Sequence, residues 1–483
     1  MSVPPLRLLF LSAEMAPIAQ SGGLGDAVSG LARALVERGH EVTCVLPAYR
    51  TAIEHPACPS LQDVGALQLG LPDGELHGRW LAGRMIFEDG LGLDLRLLDL
   101  PELFDRDGLY GDDDGPFSDE ALRFATFARA GAALAVELLP DVVILHDWHC
   151  ALAACHLREV HAAAAEGIRI VQVVHNGAYQ GRFEAQAMEV TGLPPELFSP
   201  EGLEFFGDLC LLKGGLLWSD RIVAVSPTYA EELTLPEFGG GLEGLYAHRR
   251  EALVGVANGI DTQRFDPARD SALAATFDSE QPAGKDACRS ALLAELGLAD
   301  PGPGQLLAAV GRFATQKGWD VLADSVESLV REGASLALLG DGDPEIAARL
   351  RGLAERYPER VGLFVGWDED FARRLYAGAD VVLLPSRFEP CGLVQLMSQR
   401  YGTLPVAHAV GGLVDTIEDG HTGVLFAPLT PEALVAAVTR AAALFESQGS
   451  AAVRGRLLAL DVSWRLPAER WERALLELTR AGN

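Results

Sequence analysis

The chain has 483 residues, 49% of them hydrophobic and 22% charged, a balance that supports a large core and excludes intrinsic disorder. A formal net charge of −29 disfavours nucleic acid and anionic membrane as partners and leaves neutral polymers such as polysaccharides open. Seven scattered cysteines without a CxxC pair argue against a disulfide framework and for a reducing, cytoplasmic setting.

No apolar run reaches the roughly 18 residues that a membrane span needs. The stretch Met1-Ser2-Val3-Pro4-Pro5-Leu6-Arg7 lacks the charged, apolar and small-residue regions of a leader, and Leu6–Ser12 reads as a first strand. The turn that follows, Glu14 to Asp26, contains Gln20-Ser21-Gly22-Gly23-Leu24-Gly25. It opens a helix with Val28, Leu31 and Leu35 on one face and Gly39 at its end. Glycines let a backbone approach a phosphate or sugar closely, and a helix start favours negative charge. A purely structural tight turn is the competing reading. A dinucleotide fold would show GxGxxG here, but Val28 stands at the third glycine position. The second strand, Glu41–Leu46, ends in Pro47 with no acid for a ribose, so a nicotinamide enzyme is disfavoured.

Further along, Val142–His146 reads as a strand followed by Asp147-Trp148-His149-Cys150. This stretch, with Cys155 and His156 close behind, suggests a metal, but His146 ends a strand while Cys155 and His156 sit on the following helix, so the spacing fits no tetrahedral site well and no metal is expected. A sugar-binding role for Asp147, Trp148 and His149 fits better, since carboxylates and aromatic faces suit hydroxyl-rich sugars. Ile168–His175 is the next strand and carries His175 and Asn176 at its end; a packed structural histidine is the plainer alternative. Arg221–Ser226 and Leu253–Ala257 complete this series, and Ala257–Asp261 reads as a hinge. Asp278–Asp286 and Ala299–Gly304 read as surface loops.

A second series comprises Leu306–Gly311, Ser335–Leu339, Gly362–Val365, Val381–Leu384, Pro405–Ala407 and Gly423–Phe426. Alternation of strands and helices predicts βαβ units. Two sheets of about six strands imply two Rossmann-like, doubly wound α/β domains. The expected bounds are 1–256 and 257–462, with a final helix over 463–483 striped by Trp464, Trp471, Leu475 and Leu478.

In the second series, Arg312 and Lys317 follow the first strand and suit a diphosphate: Arg312 forks onto oxygens and Lys317 adds a point charge. Two solvated surface cations are the alternative. The most informative stretch is Pro385-Ser386-Arg387-Phe388-Glu389-Pro390-Cys391-Gly392-Leu393, between the run ending at Leu384 and a helix from Val394 that stops at Gly402. It sets a carboxylate, Glu389, beside the backbone N–H groups of a helix start, as a nucleotide sugar requires. A capped turn with a solvated Glu389 is the bland alternative.

Taken in order, Ser12-Ala13-Glu14-Met15, Ser21-Gly22-Gly23-Leu24, Leu109-Tyr110-Gly111, His146-Asp147-Trp148-His149, His175-Asn176, Ala178-Tyr179-Gln180-Gly181, Ala224–Tyr229, Asn258-Gly259-Ile260-Asp261, Gln316-Lys317-Gly318, Ser386–Leu393, Tyr401–Pro405 and Gly411-Gly412-Leu413 resemble the bacterial glycogen synthases and plant starch synthases. The resemblance spans nearly the whole chain. It implies two Rossmann-like domains facing a central cleft (the GT-B fold), with the C-terminal helix crossing back to the first domain. The implied activity transfers glucose, usually from ADP-glucose, to the non-reducing end of an α-1,4-glucan such as glycogen, with retention and without metal or cofactor. By the same resemblance, Glu389 holds the donor glucose and the backbone of Cys391, Gly392 and Leu393 takes the phosphates. Arg312 and Lys317 neutralise the leaving diphosphate, the main-chain oxygen of His175 supports the transition state, and Asp147 orients donor or acceptor. Gln20, Gly22, Gly23 and Asp26 shape the donor side, Trp367 stacks the base, and Glu14, Tyr110, His149, Asn176 and Asn258 are expected around the substrates. A monomer or small homo-oligomer is expected.

Three positions depart from the family pattern: Gln20 where lysine is usual, Ala409 where a basic residue is common, and Val394 where threonine is common. Two missing cations leave UDP-glucose or another nucleotide sugar open as donor. A non-catalytic glucan-binding relative is a further alternative.

Overall fold

The computed structural model describes residues 4–480 apart from 73, 88, 113 and 114. Met1–Val3 of the stretch read for a leader, and residues 481–483 of the expected final helix, lie outside the described residues. The chain divides into two compact units. The first runs to Asn258 and takes up the chain again from Trp464; the second is Gly259–Ser463.

Unit 1 is built on a nine-stranded sheet. Its order is Leu253–Gly255, Arg221–Ala224, Arg169–Val174, Val142–His146, Arg7–Leu11, Glu41–Pro47, Gly92–Asp99, Gly74–Ile86 and Gln62–Leu71. The first seven are parallel, with Leu8 paired to both Val42 and Val142. Val142–His146 is buried at every position, as a strand covered on both faces must be. Helix Gly23–Glu37 buries Val28, Leu31 and Leu35, the expected stripe.

Three strands of this sheet were not anticipated. Gln62–Leu71 and Gly74–Ile86 pair antiparallel with each other, and the latter pairs antiparallel with Gly92–Asp99. Their burial is one-sided: in Gln62–Leu71 only Leu67, Leu69 and Leu71 turn away from solvent, at a period of two. Such alternation forms no continuous apolar run, and Gly65, Gly70, Gly78 and Gly83 break the pattern further.

The C-terminal helix spans Arg465–Arg480 and buries Ala468, Trp471, Leu475 and Leu478, a spacing of three and four residues that marks one face. Each leucine so buried contributes about 2 kcal/mol. The helix belongs to unit 1, where Glu472 accepts from Arg38 at 2.5 Å and meets His40 at 3.3 Å. Just before it, Trp464 lies so close to Gly30 that a Cβ there would sit 2.0 Å from the indole nitrogen.

Unit 2 holds a six-stranded, wholly parallel sheet. Its order is Val361–Val365, Ser335–Gly340, Leu306–Val310, Val381–Leu384, Leu404–His408 and Val424–Phe426. Alternate residues of the first of these in sequence serve different cores. Leu307 and Ala309 join Trp319, Leu322 and Phe445 on one face. Leu306, Ala308 and Val310 join Leu292, Phe371 and Leu375 on the other. Helices therefore cover both faces, the mark of a doubly wound sheet. One expectation fails here: Asp278–Asp286 is not all loop, because a helix begins at Gly284. Its Lys285 is fully buried and donates to Tyr376 O, Ala377 O, Tyr401 O and Thr403 Oγ1, so local polarity misread an interior anchor.

Candidate active site

In both sheets the strand order reverses between two neighbours, Arg7–Leu11 and Val142–His146 in unit 1, Leu306–Val310 and Val381–Leu384 in unit 2. Connections leaving such a pair run to opposite faces and open a crevice at the strands' carboxyl ends. Apart from Asn258 and Trp367, which follow edge strands, the expected site residues lie around these two places.

In unit 1, the carboxylate of Glu14 is buried and accepts four hydrogen bonds. Its donors are Ser21 N at 2.7 Å, Ser21 Oγ at 2.7 Å, Gly22 N at 3.3 Å and Tyr110 OH at 2.8 Å. Glu14 thus ties the Ser21–Gly22 turn to Tyr110, whose phenol is held far from ionisation by burial and by that carboxylate. The helix beginning at Gly23 has no side-chain cap. Gln20 Nε2 donates to Asp26 Oδ2 at 2.7 Å and to Gly22 O at 3.1 Å.

Asp147 follows the second strand of the pair and has a φ of 59°, a region where non-glycine residues are rare. The conformation is fixed by its side chain: Oδ1 accepts from His175 N at 2.7 Å and Asn176 N at 3.4 Å. Asp147 therefore locks one strand end to the next. Burial pushes its carboxyl up to about 7, against those two donors. His149 stacks on Trp148 at 3.9 Å and packs against Tyr110 and Phe124, and burial, aided by Arg123, pulls its imidazole down to about 3. Half-buried His175 is likewise pulled to about 3 by its packing, and its Nε2 lies 2.9 Å from His146 Nδ1. Asn176 Oδ1 accepts from Ala178 N, and Tyr229 OH accepts from Gly177 N at 2.8 Å. Trp148, Tyr179, Gln180, Arg182 and Phe183 line a concavity of about 550 Å³. Asn258, also buried, ends this part of unit 1.

In unit 2, Lys317 Nζ donates to Glu389 Oε2 at 2.6 Å, and Ser386 Oγ donates to the same oxygen at 3.1 Å. Two motifs 72 residues apart so become one ion pair at the sheet's reversal point. The turn from Arg312 is braced by Trp319 Nε1, which donates to Arg312 O at 2.8 Å. Gln316 Nε2 donates to Phe388 O, and Arg387 forks onto Asp320 at 2.8 and 2.6 Å. Gly392 takes a φ of 72°, where glycine is favoured, and leads through Leu393 into the helix Val394–Arg400, which has no side-chain cap. Gln395 Nε2 donates to Cys391 O and Gly392 O and so fixes the loop from within. Gly412 N donates to Glu389 O, and a Cβ at Gly412 would lie 2.4 Å from Cys391 Cα. The second glycine pair therefore buttresses the loop that carries Glu389.

Of the expected residues, Glu14, Gln20, Gly22, Gly23, Asp26 and Tyr110 form one cluster. Asp147, His149, His175 and Asn176 form another, joined to the first by the Tyr110–His149 ring contact at 5.1 Å. Arg312, Lys317, Glu389, Cys391, Gly392 and Leu393 belong to the unit 2 group. Trp367 stands apart, 64% exposed, beyond the edge strand Val361–Val365. Ser21, Ser386 and Gln395 complete the geometry without having been singled out; their proximity to Gly22, Glu389 and Gly392 was the available signal. Among the described residues, no group of three or more His, Cys, Asp or Glu is placed to hold a metal ion.

Residues 7–248 match the starch synthase catalytic domain, and residues 304–443 match glycosyl transferases group 1. A glycogen synthase of Anaeromyxobacter dehalogenans is 42% identical over 97% of this chain and 98% of its own length. One from Methylocella silvestris is 41% identical over 98% and 99%. The chain belongs to the glycogen and starch synthase family. The catalytic domain of starch synthase IV from Arabidopsis thaliana, solved with ADP and acarbose, superposes with a TM-score of 0.89 at 28% identity over 99% of this chain and all of that one. A sucrose-phosphate synthase from Thermosynechococcus elongatus shares only the fold, with a TM-score of 0.60 at 19% identity. Membership of the glycogen synthase family makes the chain a glycosyltransferase with two largely parallel α/β units. Among the described residues, no helix is long and apolar enough to cross a membrane.

Proposed function

We propose that this glycogen synthase relative transfers glucose from ADP-glucose to the non-reducing end of an α-1,4-glucan with retention of configuration. The observation that carries the reading is the Lys317–Glu389 pair at the reversal point of unit 2, 2.6 Å apart and backed by Ser386. An ammonium has three N–H donors, and Glu389 occupies one, so phosphate oxygens can take the others. The free Glu389 oxygen suits a sugar hydroxyl. When the bond from the sugar's anomeric carbon to the diphosphate breaks, its electron pair leaves with the phosphate oxygen. Lys317 and Arg312 offset that charge, and the backbone N–H groups from Cys391 to Val394 add donors. The acceptor hydroxyl bonds to the anomeric carbon on the same face, and its proton leaves with the diphosphate. The main-chain oxygen of His175, set by Asp147, faces the positive charge that develops on the sugar. Glu14 and Tyr110 act through the turn they hold.

The solved starch synthase IV carries ADP and acarbose, which supports ADP as the leaving nucleotide and a saccharide as acceptor. Tyr179, Phe183 and Trp148 give the acceptor an aromatic-lined concavity. Trp367, exposed on unit 2, is the candidate to stack the base. The cysteines, all free, suit a cytoplasmic setting, with the enzyme a monomer or small homo-oligomer. Incubation with glycogen and ADP-glucose, in parallel with UDP-glucose, is the deciding assay. ADP release matched by glucan extension is expected. Turnover with UDP-glucose alone would replace the donor, and glucan binding without turnover would overturn the catalytic reading.

A further inference from the structure

His146 ends a central strand and is fully buried, its ring 5.2 Å from that of Phe10. Its Nδ1 meets His175 Nε2 at 2.9 Å, while its own Nε2 is buried with no hydrogen-bond partner among the described residues. Burial keeps both rings neutral, so each carries one ring proton, and their contact admits two arrangements. In one, His146 Nδ1–H donates to His175 Nε2, His175 carries its proton on Nδ1, and the bare lone pair of His146 Nε2 lies in the core. In the other, His175 Nε2–H donates and a His146 Nε2–H is stranded in the core. A buried N–H without a partner is rarer and costlier than an under-used acceptor. The network therefore assigns the first arrangement.

We propose that His146 is a positioning residue: it holds the His175 ring in one orientation and in the Nδ1–H form, so that His175 offers the reacting sugar a hydrogen-bond donor. The proposal rests on the sugar-transfer reading above. Two consecutive residues then pin His175 separately, since Asp147 Oδ1 binds its backbone N–H and His146 Nδ1 binds its ring. A ring with its proton on Nδ1 and its Nε2 engaged has no lone pair to offer a ligand. It can hold a sugar oxygen but cannot take a proton from the acceptor.

The first test needs no activity. Long-range proton–nitrogen correlation spectra of the whole protein, labelled at histidine nitrogens and assigned with a His175→Gln variant, report which nitrogen of His175 is protonated. A protonated Nδ1 is expected, and a protonated Nε2 overturns the proposal. The second test compares three variants under saturating donor and glycogen. Loss of one neutral hydrogen bond predicts that kcat of His146→Leu falls roughly tenfold, with KM for glycogen changed less than about twofold. Asparagine places its amide N–H near the position of Nδ1–H, so His146→Asn is expected to recover to within about threefold of wild type. Glutamine reaches the Nε2 position and His146→Gln is expected to stay low. Equal kcat in all three variants, whether unimpaired or equally impaired, overturns the proposal in favour of simple packing. Wild-type protein inactive with every donor, yet showing His175 protonated on Nδ1, would sink the sugar-transfer reading while leaving the tautomer assignment standing.

Discussion

The two units present chemistry at equivalent places, the reversal points of parallel sheets, but with opposite electrostatic character. Among the expected residues unit 1 offers no cation: Gln20 faces Asp26, Glu14 is a hydrogen-bonded carboxylate, His149 and His175 are pulled to about 3, and Asp147 is pushed up to about 7. Unit 2 offers an ion pair of Lys317 with Glu389 and, on the same strand-end turn as Lys317, the cation of Arg312. In a chain of net charge −29, binding an anionic diphosphate requires cations placed at short range, because the global field opposes it. On the proposed sugar-transfer reading, charge compensation therefore resides in unit 2. Unit 1 uses hydrogen-bonded polar groups and carboxylates, which hold a geometry without adding positive charge.

The largest effect expected from breaking this division is at Lys317. Lys317→Ala removes the cation and leaves the buried Glu389 carboxylate, among the described residues, with the Ser386 hydroxyl, so kcat should fall by roughly 10² to 10³. Gln20→Ala in unit 1 should cost less than about tenfold, because it removes neutral hydrogen bonds. Steady-state kinetics on both variants decides the matter, and a greater loss at Gln20 would reverse the assignment of charge.

Asp147 provides the next test, through pH. Its carboxyl is raised from an ordinary 3.8 to about 7, so the folded protein binds more protons than the unfolded chain between those values. Stability from this group is therefore present at low pH and is lost as pH rises through that window. Asp147→Asn should flatten this part of the stability curve in denaturant titrations. If the carboxylate is the working form, wild-type activity should rise about tenfold between pH 6 and 8, with a midpoint near 7, and the asparagine variant should lack that limb. An identical limb in both proteins would assign the titration elsewhere.

The same contrast explains what the sequence disclosed. Parallel strands such as Val142–His146 and Val381–Leu384 are buried on both faces and so print continuous apolar runs. The hairpin Gln62–Ile86 is solvated on one face and interrupted by glycines, and left no such run. Arg312, Lys317 and Glu389 were legible because charged residues at the ends of apolar strands have no packing reason to be there. The bond joining Lys317 to Glu389 was not legible, since only the fold brings residues 72 apart together. His146 was weighed as a metal ligand and as part of the family motif, but its bond to His175 was not legible, because that contact crosses between strands.

The smallest expected effect is the most direct probe of unit 1. Gln20→Lys restores the residue usual in the family at a site where the present amide donates to Asp26 Oδ2 at 2.7 Å. A lysine there would pair with the same carboxylate, and the pair would be nearly neutral as seen from a distance. Only the ammonium's remaining donors could reach a phosphate, and in this half-buried setting solvent still screens them in part. KM for ADP-glucose should therefore fall only about threefold, with kcat unchanged within about twofold, and the gain should shrink as salt is added. A gain of tenfold or more that persists in salt would show that Gln20 had left a real vacancy for charge, and that phosphate binding is shared between the units. No change with ADP-glucose, together with a gain for UDP-glucose, would make the position a selector of the nucleotide.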